Sequence, residues 1–411
     1  MLAALRAAGL FGVRFDLARL EGPLAALGSP ERQLGQVVHV GGTNGKGSTA
    51  ALIAAALEAS GLRVGLYSSP HLSRFTERIR IAGREVLPDA LGATYARVRS
   101  SLDGLTYFEQ ATLLAFVTFA EARLDATVLE VGMGGRLDAT NVVASTVAAV
   151  TGVALDHEEM LGADVAAIAR EKAGIFRAGR PAVIGASGDA AATAVLVAEA
   201  RARGARVVWP PARAPHGGAL ALVGEHQERN AAVAWAVLDE LTAETGGRVA
   251  VSDEARRRGF AAATWPGRFE EVVPRVWLDG AHNPDGARAL AAAVAALGAR
   301  RVVAVCGVSS DKDVPGILAP MLDVVTTLYA TSAPSARALE AAALAGVAAR
   351  VAAGRAAVLC EPDPFVAVEQ ARRDAGDGVV VVFGSLFLVG PVRARLLGEC
   401  EDQLTVTDPA R

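Results

Sequence analysis

From residue 36 onward, short runs of β-branched residues alternate with alanine- and leucine-rich stretches of helical length, and that alternation leaves few folds open to the chain. QVVHV (36–40), RVGLYS (63–68), TVLEV (127–131), TVAAV (146–150) and PAVIG (181–185) read as strands, because β-branched side chains are stiff and pack well on a pleated surface. STAALIAAALEASG (48–61), ending at Gly61, and ATLLAFVTFAEARL (111–124) read as helices. Strands separated by helices pair through crossovers, which makes the sheet parallel and covers both faces. Runs that are apolar on both sides fit that arrangement. The regularity weakens between 186 and 226, where WPPARAPHGG (209–218) reads as a loop or edge region. A helix at 226–244 follows. Strands then resume with RVWLDG (275–280), RVVAVCGV (301–308), VVTTLYAT (324–331), AAVLC (356–360) and GVVVVFG (378–384), separated by helices at 285–297, 335–349 and 364–375, with a last helix at 386–397. TWPGRFEEVVP (264–274) lies between the two sets and reads as a hinge.

A chain of 411 residues has room for two or three domains with real cores. Its formal net charge of −3 gives no general case for nucleic acid or an anionic membrane as a partner. Although 52% of the residues are hydrophobic, no stretch is uniformly apolar for long enough to span a bilayer. The opening MLAALRAAGLFGVRF is interrupted by Arg6 and Arg14 and reads as a short amphipathic helix rather than a signal peptide. Cys306, Cys360 and Cys400 are scattered and show no metal-ligand spacing, so a reduced, cytoplasmic protein is expected.

HVGGTNGKGST (39–49) joins a strand to a long helix, where a phosphate cradle has to lie. It departs from the usual P-loop. Gly47 separates Lys46 from Ser48, and Val40 stands where the full spacing requires glycine. The parts of a cradle are nonetheless present. A helix N-terminus offers unpaired N–H groups and the positive end of the dipole. Glycines let the backbone curl around phosphate oxygens. Lys46 can neutralise outer phosphates, and Ser48 or Thr49 can bind Mg²⁺; a glycine-rich turn with an exposed lysine is the bland alternative. Glu130 ends an apolar strand, where a carboxylate is costly unless it binds a cation or forms an ion pair, for which Arg136 is at hand. Asp156 and His157 follow the next strand, at the sheet edge where ligands gather, although a local hydrogen bond would use them equally well. Glu171 and Lys172, taken alone, read as an ordinary helix end. The expected architecture is α/β: a P-loop ATPase-type parallel-sheet domain over 1–267 and a smaller Rossmann-like α/β domain over 275–411.

HVGGTNGKGST is followed in order by SSPHLSRFTERIRI (68–81), TYFEQATLLAF (106–116), LEVGMGGRLDATN (129–141), LDHEEMLG (155–162) with AREKAGI (169–175), HQERNA (226–231), WPGRFE (265–270), LDGAHNPDGA (278–287), SSDKD (309–313) and FGSLFLVG (383–390). This ordered set, spanning nearly the whole chain, resembles the folylpolyglutamate synthase/dihydrofolate synthase family, relatives of the Mur peptide ligases. The family's loop reads Thr-Asn-Gly-Lys-Gly-Ser/Thr, whereas Mur ligases place the hydroxyl directly after the lysine, so Gly47 favours the folate branch.

The resemblance implies a role for each matching residue. Thr43, Asn44, Gly45, Lys46, Gly47 and Ser48 would cradle ATP, with Asn230, Arg268 and Asp279 contacting the nucleotide from across the cleft. Ser48, Ser69, Glu130 and His157 would hold Mg²⁺, joined by a carboxylated Lys172, since an ammonium cannot bind the ion and a carbamate can. Thr106, Tyr107 and Phe108 would hold the pterin side, where aromatic stacking suits a flat heterocycle. His282, Asn283, Asp311, Lys312 and Ser385 would face the glutamate. Lys46, Glu130, His157, Lys172, Asp311 and Lys312 would carry the catalysis, and a monovalent cation is a further candidate cofactor. The implied reaction is ATP-dependent amide formation. A pterin acid or folate carboxylate becomes an acyl phosphate, and the amine of L-glutamate displaces phosphate. The implied form is a cytoplasmic monomer acting on small molecules, with neither nucleic acid nor membrane as partner. Two readings compete. A Mur-type ligase for a UDP-sugar peptide shares the fold and mechanism, but its extra N-terminal domain is not expected ahead of a cradle that begins by residue 41. A nucleotide-hydrolysing switch would need no second substrate.

Overall fold

The computed structural model describes residues 1–2, 5, 16–156, 158–162 and 164–402. The expected N-terminal amphipathic helix falls largely outside that set, as does His157.

The first set of strands is β1 (Gln36–Gly41), β2 (Val64–Tyr67), β3 (Ile79–Ile81), β4 (Arg84–Glu85), β5 (Ala126–Glu130), β6 (Val147–Val153), β7 (Pro181–Gly188) and β8 (Arg206–Val208). They form one sheet in the order β4-β3-β2-β5-β1-β6-β7-β8. Pairing is parallel along β2-β5-β1-β6-β7-β8, and antiparallel between β2 and β3 and between β3 and β4. β1 therefore lies in the interior, between β5 and β6, and its loop emerges where ligands gather in such sheets. Side chains alternate between faces: Val38, Val40 and Val128 pack beneath the helices Lys46–Ala59 and Glu225–Glu244, while Val37, Leu129 and Tyr67 pack beneath Tyr107–Ala122.

The second sheet runs β13 (Ala357–Cys360), β12 (Thr327–Ala330), β11 (Val302–Cys306), β14 (Val379–Phe383), β10 (Val276–Leu278) and β9 (Glu270–Val273), with β9 alone antiparallel. β9 corrects the expected hinge, because Glu270–Val273 pairs with β10 and belongs to this sheet. The expected helix at 335–349 is shifted to Ala341–Ala352. Residues 335–340 form a turn instead, with Ala338 bridged to Ser309. The weak region after 186 holds regular structure: β7 continues to Gly188, followed by a helix, Ala190–Ala202, and β8. No helix among the described residues is long and apolar enough to cross a membrane.

A helix at Asp253–Ala262, not expected from the pattern, lies directly on the helix Lys46–Ala59. Gly259 makes this approach possible, since a Cβ there would sit 2.5 Å from the Cα of Ala56. Gly259→Ala should force the two helices apart and destabilise the protein by about 1–3 kcal/mol, read as a lowered midpoint in urea unfolding.

Candidate active site

Residues 42–45 connect β1 to the helix Lys46–Ala59 and are tied down from β6. Thr43 N donates to Gly152 O, Thr43 Oγ1 to Ala154 O at 3.1 Å, and Thr151 Oγ1 to Asn44 O at 2.6 Å. Gly42 must be glycine: its φ is 141°, and a Cβ would lie 1.9 Å from Thr151 Oγ1. The helix begins at Gly45, φ 82°, with no side-chain cap, which leaves its first N–H groups to whatever occupies the cleft. By contrast Thr106, Ser252, Asn283 and Ser385 each close a helix with their own oxygen.

Two lysines converge on this loop. Lys46 Nζ donates to Gly42 O at 3.1 Å and Thr43 O at 3.0 Å, and Lys172 Nζ donates to the same Gly42 O at 3.0 Å. Lys172 comes from the helix Val165–Ala173, on which Gly135 packs so closely that a Cβ would meet Glu171 O at 2.7 Å. Burial, reinforced by the charge of Lys46, pulls the Lys172 amine down to about 7. Glu130, at the end of β5, is buried too. Burial raises its carboxyl, against the pull of Lys46, the Ser69 N–H that donates to it at 3.2 Å, and Arg268. Arg136 is not its partner, because that guanidinium pairs with Glu171 at 2.8 Å.

The sheets face each other across a cleft with about 410 Å³ of interior space. Thr43, Asn44, Gly45, Lys46, Gly47, Ser48, Ser69, Glu130, Lys172, Asn230, Arg268, Asp279 and His282 all line it. Asn44 bridges the cleft through a reciprocal amide pair with Asn283, 3.1 Å in each direction, and donates to Asp285 at 3.0 Å. A second bridge joins Lys312 Nζ to Asp156 Oδ1 at 2.9 Å. Asn230 packs against Gly45, where a Cβ would lie 2.3 Å from its Oδ1. The oxygens of Asp279 accept from the backbone N–H groups of Phe269 and Ala281, at 2.8 and 2.7 Å.

The other expected residues lie outside this lining. Thr106 is a buried helix cap in a capping box with Glu109. Tyr107 lies under the Arg78 guanidinium at 5.4 Å. Phe108 supports the lining residue Gly132, where a Cβ would meet its ring at 2.4 Å. Ser385 caps the last helix, and Asp311 faces Lys312 and Arg337 at 3.8 Å. Lys312, expected to await a glutamate carboxylate, is engaged by Asp156. Among the described residues no three His, Cys, Asp or Glu side chains cluster to hold a metal, so Glu130 is joined at the expected site by hydroxyls and Lys172 instead. Sequence reasoning passes over Asp285 and Trp265. Trp265 lies in the expected hinge, yet its indole rests on Gly47; its place at the head of WPGRFE and a large aromatic inside a proline- and glycine-bearing linker are the signals available for it.

The Mur ligase middle domain matches residues 40–209 and the Mur ligase glutamate ligase domain matches 267–386. The folylpolyglutamate synthase of Lacticaseibacillus casei is 36% identical over 410 residues, covering 91% of this chain and 93% of that protein. A Mycobacterium tuberculosis folylpolyglutamate synthase complexed with ADP superposes with a TM-score of 0.87 at 35% identity, covering 98% of each chain. A bifunctional folylpolyglutamate synthase/dihydrofolate synthase with Mn, AMPPNP and L-glutamate bound superposes with a TM-score of 0.82 at 36% identity, over 96% of this chain and 97% of that one. With strand order, cradle and end-to-end similarity in agreement, the chain belongs to the folylpolyglutamate synthase/dihydrofolate synthase family of Mur ligases.

Proposed function

We propose that this chain is an ATP-dependent ligase that joins L-glutamate to the carboxylate of dihydropteroate and/or a folate (poly)glutamate, releasing ADP and phosphate. The observation that carries this reading is the cradle: an uncapped helix start with Lys46 and Lys172 converging on Gly42 O, in one cleft with the buried Glu130. Such a site suits a polyanion and a hard cation. The ADP, AMPPNP, Mn and L-glutamate in the similar structures are, or stand in for, the nucleotide, metal and amino acid this reaction needs. End-to-end similarity to folate enzymes sets aside the UDP-sugar and switch readings. The proposal divides the labour between 1–267, for nucleotide and pterin acid, and 275–411 with β9, for glutamate. It retains the cytoplasmic monomer that the resemblance implies.

Ser48, Ser69 and Glu130 offer hard oxygen donors to Mg²⁺, and His157 and a carboxylated Lys172 would be the further ligands that the resemblance implies. Lys172 is suited to carboxylation, because an amine held near 7 is substantially unprotonated at neutral pH and can add CO₂. Mg²⁺ would draw charge off the transferring phosphoryl group. Lys46 and the N–H groups of the first helical turn bind the outer phosphates and hold them in line with the substrate carboxylate. That carboxylate attacks the γ-phosphorus and ADP leaves. The acyl phosphate then has a leaving group that the free acid lacked, and the α-amine of glutamate displaces phosphate from the acyl carbon. Lys312, steadied by Asp156, would receive a glutamate carboxylate where the two sheets meet. Phe108, behind Gly132, supports the wall proposed to face the pterin.

Lys46→Ala should lower ADP release with a pterin acid plus glutamate by roughly a hundred- to a thousandfold while the far-UV circular dichroism stays native; near-normal turnover would remove the cradle from the mechanism. Protein equilibrated with isotopically labelled bicarbonate should show a carbamate carbon resonance that Lys172→Ala lacks. Acetate should partly restore the activity of Lys172→Ala, and a wild-type spectrum without the resonance would exclude the carbamate.

A further inference from the structure

We propose that Trp265 is a positioning residue for the cradle: its indole presses on the bare backbone of Gly47 and sets the first helical turn against Arg268. The inference rests on the ligase reading above. A Cβ on Gly47 would lie 2.5 Å from Trp265 Nε1 and 2.7 Å from Cε2 and Cζ2. A side chain at 47 and this indole therefore exclude each other. The hydroxyl that an ordinary P-loop carries directly after its lysine is displaced by one position, to Ser48, and the vacated place is filled by a ring from the segment linking the two sheets.

Three further contacts make that ring a lever rather than filler. The Arg80 guanidinium lies over the indole at 5.4 Å, with its Nε buried and without a hydrogen-bond partner, so the ring shares that cation with the carboxylates of Glu85, Glu77 and Glu58. Gly267, two residues on, turns at φ 69° against Leu72 and Val389, where a Cβ would meet each at 3.1 Å. Arg268 follows and reaches the same cleft as Glu130. The stretch 265–268 thus touches the cradle helix, the loop after β2 and the last helix within four residues. Gly267, packed between Leu72 and Val389, fixes the course of the short segment that joins the indole to Arg268.

Gly47→Ala, Trp265→Ala, the double variant and Trp265→Phe test this by equilibrium binding of ADP with Mg²⁺. Gly47→Ala should weaken binding roughly tenfold in the wild-type background and by less than roughly threefold when residue 265 is already alanine. Trp265→Phe keeps a flat ring and should retain most of the affinity that Trp265→Ala loses. Wild-type indole emission should shift on saturation with ADP, and Trp265→Phe should bind ADP without that shift. Additive losses, or a shift that survives in Trp265→Phe, would overturn the role of Trp265. Should Gly47→Ala fail to fold, equal affinities of Trp265→Phe and Trp265→Ala would overturn it. Absence of ADP binding by the wild-type chain would instead overturn the ligase reading itself.

Discussion

Two lysine amines, those of Lys46 and Lys172, share one carbonyl oxygen, that of Gly42, at the base of the cleft's phosphate loop. Like charges in a buried place repel, and water is scarce there to screen them. One response is visible in Lys172, whose amine is held near 7. Lys46 is left as the cation that would meet a triphosphate there. The geometry of the carbonyl is itself conditional. It points into the cleft because Gly42 takes a backbone shape closed to other residues, and it stays there because Thr151 grips the loop from β6.

The cleft closes along several seams of different kinds. Polar ones lie at its mouth: the Asn44–Asn283 amide pair and the Asp156–Lys312 ion pair. Such pairs trade readily with a polar ligand, because each partner can exchange one hydrogen bond for another. Farther out, the loop after β2 is fastened to the last helix and the residues beyond it. Gly390 lies against the Leu72 backbone, Arg74 pairs with Glu399 at 2.9 Å, and Phe75 N donates to Asp402 at 2.6 Å. Arg393 extends the network by joining Glu399 to Glu270 of β9. The loop that carries Ser69 is in this way held from both sheets.

The inner parallel strands were readable because their side chains are apolar on both faces, and the cradle because glycine, lysine and hydroxyls cluster between a strand and a helix. What escaped shares a physical reason: tertiary contact decided it. β9 carries two glutamates and pairs only because β10 offers an open edge. The helix Asp253–Ala262 is rich in arginine and shows its apolar side only where Ala255, Gly259 and Phe260 meet the first core. Lys172 looks like any helix-end lysine until the fold buries it beside Lys46. Thr106, given a part at the substrate through its motif, spends its hydroxyl on a helix cap. Asn44 and Asn283, 239 positions apart, could not be paired by inspection of either neighbourhood.

The pairing of β1 with β5 sets Val40 opposite Glu130, and Val131 N donates to Val40 O. The loop and the carboxylate consequently leave the sheet at the same height. Inserting or deleting one residue within β5 would turn Glu130 toward the opposite layer, since successive side chains alternate sides. The residue count along β1 and β5, and not only the identity of Lys46 and Glu130, therefore sets where loop and carboxylate meet the cleft.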